Sequence, residues 1–169
     1  MPTFELHAAQ RDDWPCLDNL LQFYLHDLSQ WLPLPLGAHG LFAMQSMEPY
    51  WRAAGTLPWL IRVDGQLVGF VTQDQQRRVA GAQYNLGYLF ICRGWRRQGL
   101  GRAVVKQLLE RYSGPWQVLH LEANRPARLF WSQVLEQLSG QPCLGQPCEA
   151  DGYPATLYLC PGLPSSSTT

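Results

Sequence analysis

The sequence predicts an α+β protein in which helices flank one mixed sheet, and three observations carry that expectation. Strand-like and helix-like segments interleave from residue 3 to residue 160 with no internal domain boundary. An Asp64-Gly65 pair separates two short apolar runs, 59–63 and 67–73, which is a hairpin signal. A strand-like run ending at Ile91 passes through an Arg- and Gly-rich turn into a helical apolar repeat. The length suits one domain with its own core, placed at 1–161, followed by a polar tail, 162–169, expected to be disordered.

Taken in order, residues 3–7 read as a short edge strand. Trp14, Leu17, Leu20, Leu21, Tyr24, Leu25 and Leu28 then recur at three- and four-residue steps, one face of an amphipathic helix with Asp12 or Asp13 as its N-cap. The stretch 29–47 is rich in Pro, Gly and bulky apolar residues and shows no period, so it reads as a long loop. A short helix at 48–54 precedes the hairpin strands, and polar residues 75–78 turn the chain toward the strand ending at Ile91. The next helix carries Val104, Val105, Leu108, Leu109 and Tyr112 on one face, and Gly114-Pro115 stops it. Residues 118–121 read as a buried strand. The helix from Pro126 sets Ala127, Phe130, Val134, Leu135 and Leu138 on one side, with proline suited to its first turn and Gly140 ending it. A last strand spans 155–160.

Composition excludes several functions. A formal net charge of zero argues against a general nucleic-acid or membrane binder, which usually carries a basic excess. No charged leader with an apolar h-region and no apolar run of membrane length is visible, so the expectation is a soluble cytoplasmic protein. Five cysteines without a small secreted framework read as reduced thiols. Cys143 and Cys148 sit in a tandem Gly-Gln-Pro-Cys repeat whose spacing matches no zinc pair, so a structural hairpin or loop is expected there and no metal.

The chemistry gathers at Arg93-Gly94-Trp95-Arg96-Arg97-Gln98-Gly99-Leu100-Gly101-Arg102. Glycines let backbone approach a bulky anion without a Cβ in the way. The first-turn amides of the following helix lack intrahelical partners, and the helix dipole adds partial positive charge at that end. Arginines supply further donors to phosphate oxygens. A Walker loop is excluded because the only lysine, Lys106, lies inside the helix, and a dinucleotide fingerprint fits poorly with Val104 where its third small residue belongs. A tight turn with a solvated basic face is the plainer alternative, weakened by four arginines in one turn.

The turn also resembles a family. Arg96-x-x-Gly99-x-Gly101 is similar to the pyrophosphate loop of the GCN5-related N-acetyltransferases, and Asn124-Arg125-Pro126-Ala127-Arg128-Leu129-Phe130-Trp131 is similar to the stretch that opens the family's next helix. The resemblance covers about residues 58–138. It implies α/β/α layers around a mostly antiparallel sheet, and an acyltransferase that moves an acetyl group from acetyl-CoA, or another short acyl-CoA, to a primary amine by direct attack in a ternary complex. It also implies that Phe90, Ile91 and Cys92 act through backbone on the thioester oxygen. Pyrophosphate would sit on the amides of Gln98, Gly99, Leu100, Gly101 and Arg102, with Arg96 or Arg97 adding charge. Asn124 would bond the pantetheine arm, and Ala127 and Phe130 would wall it.

One position departs from the pattern. The family commonly has a tyrosine that protonates the leaving thiolate where this chain has Trp131, and an indole N–H is no acid of that kind. Tyr88, Tyr84 or a water are the alternatives. For the base, Glu122, His120, Asp27 and ordered water stay open, with His120 more often a satisfied core residue. The resemblance implies that the first helix and the loop after it cover the acceptor, which brings Tyr24, Asp27 and Trp31 into the site, with Phe42, Trp51 and Trp59 also considered; aromatic rings and a carboxylate suit a small organic amine. A homodimer is left open. A non-catalytic acyl-CoA binder or sensor of the same fold is the rival reading.

Overall fold

The computed structural model describes residues 3–163. Seven strands, β1 (Phe4–Ala8), β2 (Leu57–Val63), β3 (Gln66–Asp74), β4 (Tyr84–Ile91), β5 (Trp116–Leu121), β6 (Gln146–Ala150) and β7 (Tyr153–Cys160), form one sheet in the order β1-β2-β3-β4-β5-β7-β6. β4 and β5 run parallel, whereas β1–β2, β2–β3, β5–β7 and β6–β7 are antiparallel. Four helices accompany it: α1 (Trp14–Leu28), α2 (Glu48–Arg52), α3 (Leu100–Arg111) and α4 (Arg125–Ser139). The mixed, mostly antiparallel sheet with flanking helices is the architecture the sequence predicts. The described residues cluster into two compact units, 3–73 with 88–98 and 74–87 with 99–163.

In the first unit the apolar face of α1 supplies Leu17, Leu20 and Leu21, which pack with Trp51, Leu60, Phe70 and Phe90. Each such side chain contributes about 1.5–3 kcal/mol by leaving water. Asp13 is the N-cap of α1, as expected, but its carboxylate points backward and accepts from the Gln10 N–H at 2.8 Å, closing the short 3-10 turn before the helix. Asp64 and Gly65 take φ values of 49° and 79°, the left-handed pair that a two-residue hairpin between β2 and β3 requires. The loop after α1 has more order than its composition suggests. Leu36 and Phe42 form an isolated bridge, and the Gln22 side chain both accepts from the Phe42 N–H at 2.8 Å and donates to its carbonyl at 3.2 Å. Gly69 in β3 permits close contact with β4, since a Cβ there would lie 2.0 Å from the Phe90 carbonyl oxygen.

In the second unit α3 buries Leu100, Val104, Val105, Leu108 and Leu109, and α4 buries Trp131, Val134 and Leu135. A buried polar chain fixes the residues between β3 and β4. Gln117 Oε1 accepts from the N–H groups of Arg78 (2.5 Å) and Val79 (3.0 Å), and its amide donates to Asn85 Oδ1 at 2.7 Å. Asn85 donates in turn to Asp74 at 2.8 Å. Full pairing is what makes such polar groups tolerable in a core. Gly140, with φ 68°, ends α4 as expected. The segment around Cys143 and Cys148, expected as a hairpin or loop, holds strand β6, joined to β7 by Asp151 (φ 51°) and Gly152 (φ 82°). Of the tail expected at 162–169, residues 164–169 lie outside the described residues.

Candidate active site

In the first unit, β4 runs into a 3-10 turn at Arg93–Trp95 and then into extended backbone at Arg96. Arg97 adopts φ 59°, an uncommon conformation for a residue with a Cβ. The Gln98 side-chain Nε2 donates to the Gly94 carbonyl at 2.9 Å and closes the turn. Arg96 is held at several points: its Nε donates to the Ile91 carbonyl at 2.6 Å, and its guanidinium carbon lies 5.6 Å from the centre of the Phe90 ring. The remaining partner comes from the last turn of α1. Asp27 accepts from Arg96 through Oδ2 and from Arg93 through Oδ1 at 2.8 Å. Burial would push the Asp27 carboxyl up, but hydrogen bonds from Arg96 and Arg93, and their charges, outweigh it and hold it below the usual carboxylate range.

Tyr88 stands among aromatic rings. Its ring meets Tyr24 edge-on at 5.3 Å and Tyr50 edge-on at 5.6 Å. Burial, with Tyr88 nearby, pushes the Tyr24 hydroxyl up to about 12, so it stays protonated at neutral pH. The Tyr88 backbone N–H donates to Thr72 Oγ1 at 2.9 Å, and the same oxygen lies 2.9 Å from the Tyr50 hydroxyl. Thr72 and Tyr50 were not legible as site residues. The signal for Thr72 is a hydroxyl just after the apolar run 67–71 of β3, and Tyr50 has none. Of the backbone groups expected at the thioester oxygen, the Cys92 N–H donates to the Val68 carbonyl at 2.8 Å and is engaged inside the sheet. Trp31 lies half-buried in the turn after α1, whereas Trp51 and Trp59 are packed at 3% and 2% exposure.

In the second unit, α3 starts at Leu100 with Gly99 as its N-cap at φ 81°, and no side chain caps the helix. That left-handed conformation suits glycine and explains why the motif needs it there. Leu100 anchors the turn in the core, and Arg102 is exposed two residues later. Asn124 is the N-cap of α4, accepting from the Ala127 N–H at 3.1 Å, and Phe130 is half-buried beside Trp131, ring to ring at 4.8 Å. Trp131 itself is 6% exposed, a packed core residue. Glu122 is engaged at both oxygens: Oε1 accepts from the Thr156 hydroxyl, and Oε2 lies 4.0 Å from Arg128. His120 is buried, with Nδ1 at 3.0 Å from the Leu121 carbonyl and its ring against Tyr158, the satisfied core histidine expected.

A cavity of about 430 Å³ opens at the start of α1, lined by Arg11, Asp12, Trp14, Asp18, Glu48 and Trp51 among others, and none of the residues assigned to the coenzyme lines it. Among the described residues, no group of three His, Cys, Asp or Glu side chains could hold a metal, and no helix is long and apolar enough to cross a membrane.

A strand passing through an arginine-rich turn into an uncapped helix with a left-handed glycine, set in this sheet order, defines an acetyltransferase fold. Residues 17–135 match the model of the acetyltransferase (GNAT) family, and the chain belongs to that family. Solved structures agree on the fold. An acetyltransferase from Thermus thermophilus superposes with a TM-score of 0.63 at 19% identity, covering 95% of this chain and 99% of that one. The ribosomal-protein-S18-alanine N-acetyltransferase from Escherichia coli gives a TM-score of 0.59 at 15% identity over 99% of both chains. A spermidine N-acetyltransferase variant from Vibrio cholerae gives 0.59 at 10% identity over 92% of both. No curated protein sequence matches the chain.

Proposed function

We propose that the protein is an acetyl-CoA-dependent N-acetyltransferase acting on a primary amine of a small molecule, and that it works in the cytoplasm. The observation that carries the reading is the turn at Gly99. Its left-handed backbone turns the chain into α3 with no side chain competing for the first-turn amides, the donor set a diphosphate requires.

Acetyl-CoA, when bound, supplies an activated acetyl thioester. The chain's own work is placement. Gln98, Gly99, Leu100, Gly101 and Arg102 offer amides to the diphosphate, and Arg96 and Arg97 add charge. Asn124, through the part of its side chain not capping α4, together with Ala127 and Phe130, serves the pantetheine arm. Ile91 carries the backbone donor for the thioester oxygen, a role that Cys92, bonded to the Val68 carbonyl, and Phe90, which faces β3 with it, could share only by releasing β3. Holding amine and thioester in register can lower a barrier by about 7–11 kcal/mol without any acid or base. That matters here because the usual tyrosine is replaced by a buried Trp131. Tyr88, half-buried between Tyr24 and Tyr50, is the hydroxyl we assign to the leaving thiolate. Glu122 accepts from the Thr156 hydroxyl through Oε1, which leaves its other lone pairs to take the amine proton directly or through water.

The buried Trp131 also favours a second reading, a coenzyme-binding sensor without turnover. Titration with acetyl-CoA followed by an amine panel, monitored by free-thiol release, separates the two. Thiol release that depends on an added amine supports the transferase; binding with no release across the panel supports the sensor; absence of binding refutes both.

A further inference from the structure

We propose that Asp27 is an exchange site: Arg93 and Arg96 cover its carboxylate until a coenzyme diphosphate takes over those guanidiniums, and only then is it open to the acceptor's ammonium group. The inference rests on the acetyl-CoA reading above and adds to it a residue that makes acceptor binding depend on the coenzyme.

Two roles drawn from the sequence collide at one contact. Arg96 belongs to the turn that takes the diphosphate, and Asp27 is the acidic side chain suited to anchor an amine, yet each satisfies the other. Both carboxylate oxygens are engaged, Oδ1 by Arg93 at 2.8 Å and Oδ2 by Arg96. The Asp27 side chain is 20% exposed, whereas those of Arg93 and Arg96 are 67% and 37% exposed. An anion arriving from solvent therefore meets the guanidiniums first, and a cation approaching Asp27 meets two like charges. The stem of Arg96 is fixed by its bond to the Ile91 carbonyl and by the Phe90 ring, which leaves its outer nitrogen as the part that can change partner. Arg93 has no such second anchor among the described hydrogen bonds. Partly exposed arginine–carboxylate pairs are weak, and a diphosphate offers more charge and more acceptor oxygens than one carboxylate. The exchange runs downhill once the coenzyme is present.

The test is calorimetric titration of the full-length protein with CoA, comparing wild type with Asp27→Asn. Removing the competing carboxylate should tighten CoA binding about three- to tenfold, the scale set by two weak ion pairs. Unchanged or weaker binding by Asp27→Asn, with wild type binding normally, would overturn the exchange and leave the coenzyme assignment standing. Failure of wild type to take up CoA would overturn the parent reading and this inference with it. A measurement on wild type alone guards against a misfolded variant. The guanidinium Nε–H signals of Arg93 and Arg96 in ¹⁵N-arginine-labelled protein should move on addition of CoA, and static signals at saturating CoA would refute the exchange.

Discussion

Replacing Gly99 by alanine and, separately, by aspartate divides its backbone role from its electrostatic one. Gly99 sits at φ 81°, so any side chain there incurs left-handed strain of about 1–2 kcal/mol. For a chain of this size that is a fall in melting temperature of about 2–8 °C for alanine and no more for aspartate. The side-chain effect differs between them. Alanine adds a methyl group and no charge, whereas aspartate places a carboxylate at the mouth of α3. Two unit charges about 4 Å apart at an effective dielectric constant near 20 repel by about 4 kcal/mol. Solvent screening and local shifts reduce this, but a loss of roughly thirtyfold or more in CoA affinity survives a halving of the energy.

The assay is titration with CoA on variants first shown to be folded by circular dichroism and thermal melting. Gly99→Ala should melt lower and keep measurable binding; Gly99→Asp should melt no lower than Gly99→Ala, because aspartate tolerates the left-handed region and can cap the helix, and should lose binding. Equal CoA affinity for the two variants would refute the argument, because it would mean that the anion does not rest at the start of α3.

Other consequences follow from single contacts. Trp131→Tyr should cost about 1–2 kcal/mol in urea denaturation, since Trp131 is packed at 6% exposure, and should raise turnover if departure of the thiolate limits the rate. Asn124→Ala removes the acceptor of the Ala127 N–H and should destabilise by about 1 kcal/mol, with a further loss of CoA affinity that a pure cap would not show. Thr72→Val keeps shape but strips the acceptor from the Tyr88 N–H, so a cost of about 1–3 kcal/mol and a shifted pH–rate profile are expected. Asp27 titrates below its ordinary value in the folded protein, so its contribution to stability is present above about pH 4 and disappears as pH falls through the lowered folded value. Urea midpoints measured from pH 6 downward should therefore drop more steeply for wild type than for Asp27→Asn.

The fold was legible wherever one local signal dominated. The spacing of Leu17, Leu20 and Leu21 marked the buried face of α1, and Asp64-Gly65 marked the β2–β3 turn because few other pairs accept two positive φ values. The same signal stands at Asp151-Gly152 and marks the β6–β7 turn, but β6 reads Gln-Pro-Cys-Glu-Ala and has almost no apolar alternation. An edge strand with one neighbour is formed by its partner's hydrogen bonds, so composition says little about it. The order in the loop after α1 was hidden for a related reason. It depends on one glutamine side chain, Gln22, imitating a strand partner for Phe42, and nothing in the spacing of residues 29–47 announces that.

The candidate site divides along a different line, between what backbone does and what side chains do. Gly99 and Asn124 were readable because a left-handed N-cap and a helix-opening asparagine are requirements of local geometry, which neighbouring residues impose. Tyr88, Glu122 and Asp27 are defined by which partner occupies them, and partners arrive from distant sequence. Glu122 holds Thr156, 34 positions later, and Asp27 holds Arg93 and Arg96, 66 and 69 positions later. A carboxylate's chemistry is set by what it must release before it can act. Asp27 must release two arginines, and in the reading proposed here the coenzyme is the ligand that removes them. Glu122 accepts one neutral hydroxyl that no phosphate displaces, so its remaining lone pairs are open to the amine proton with or without the coenzyme, whereas Asp27 opens to the acceptor only after the coenzyme arrives.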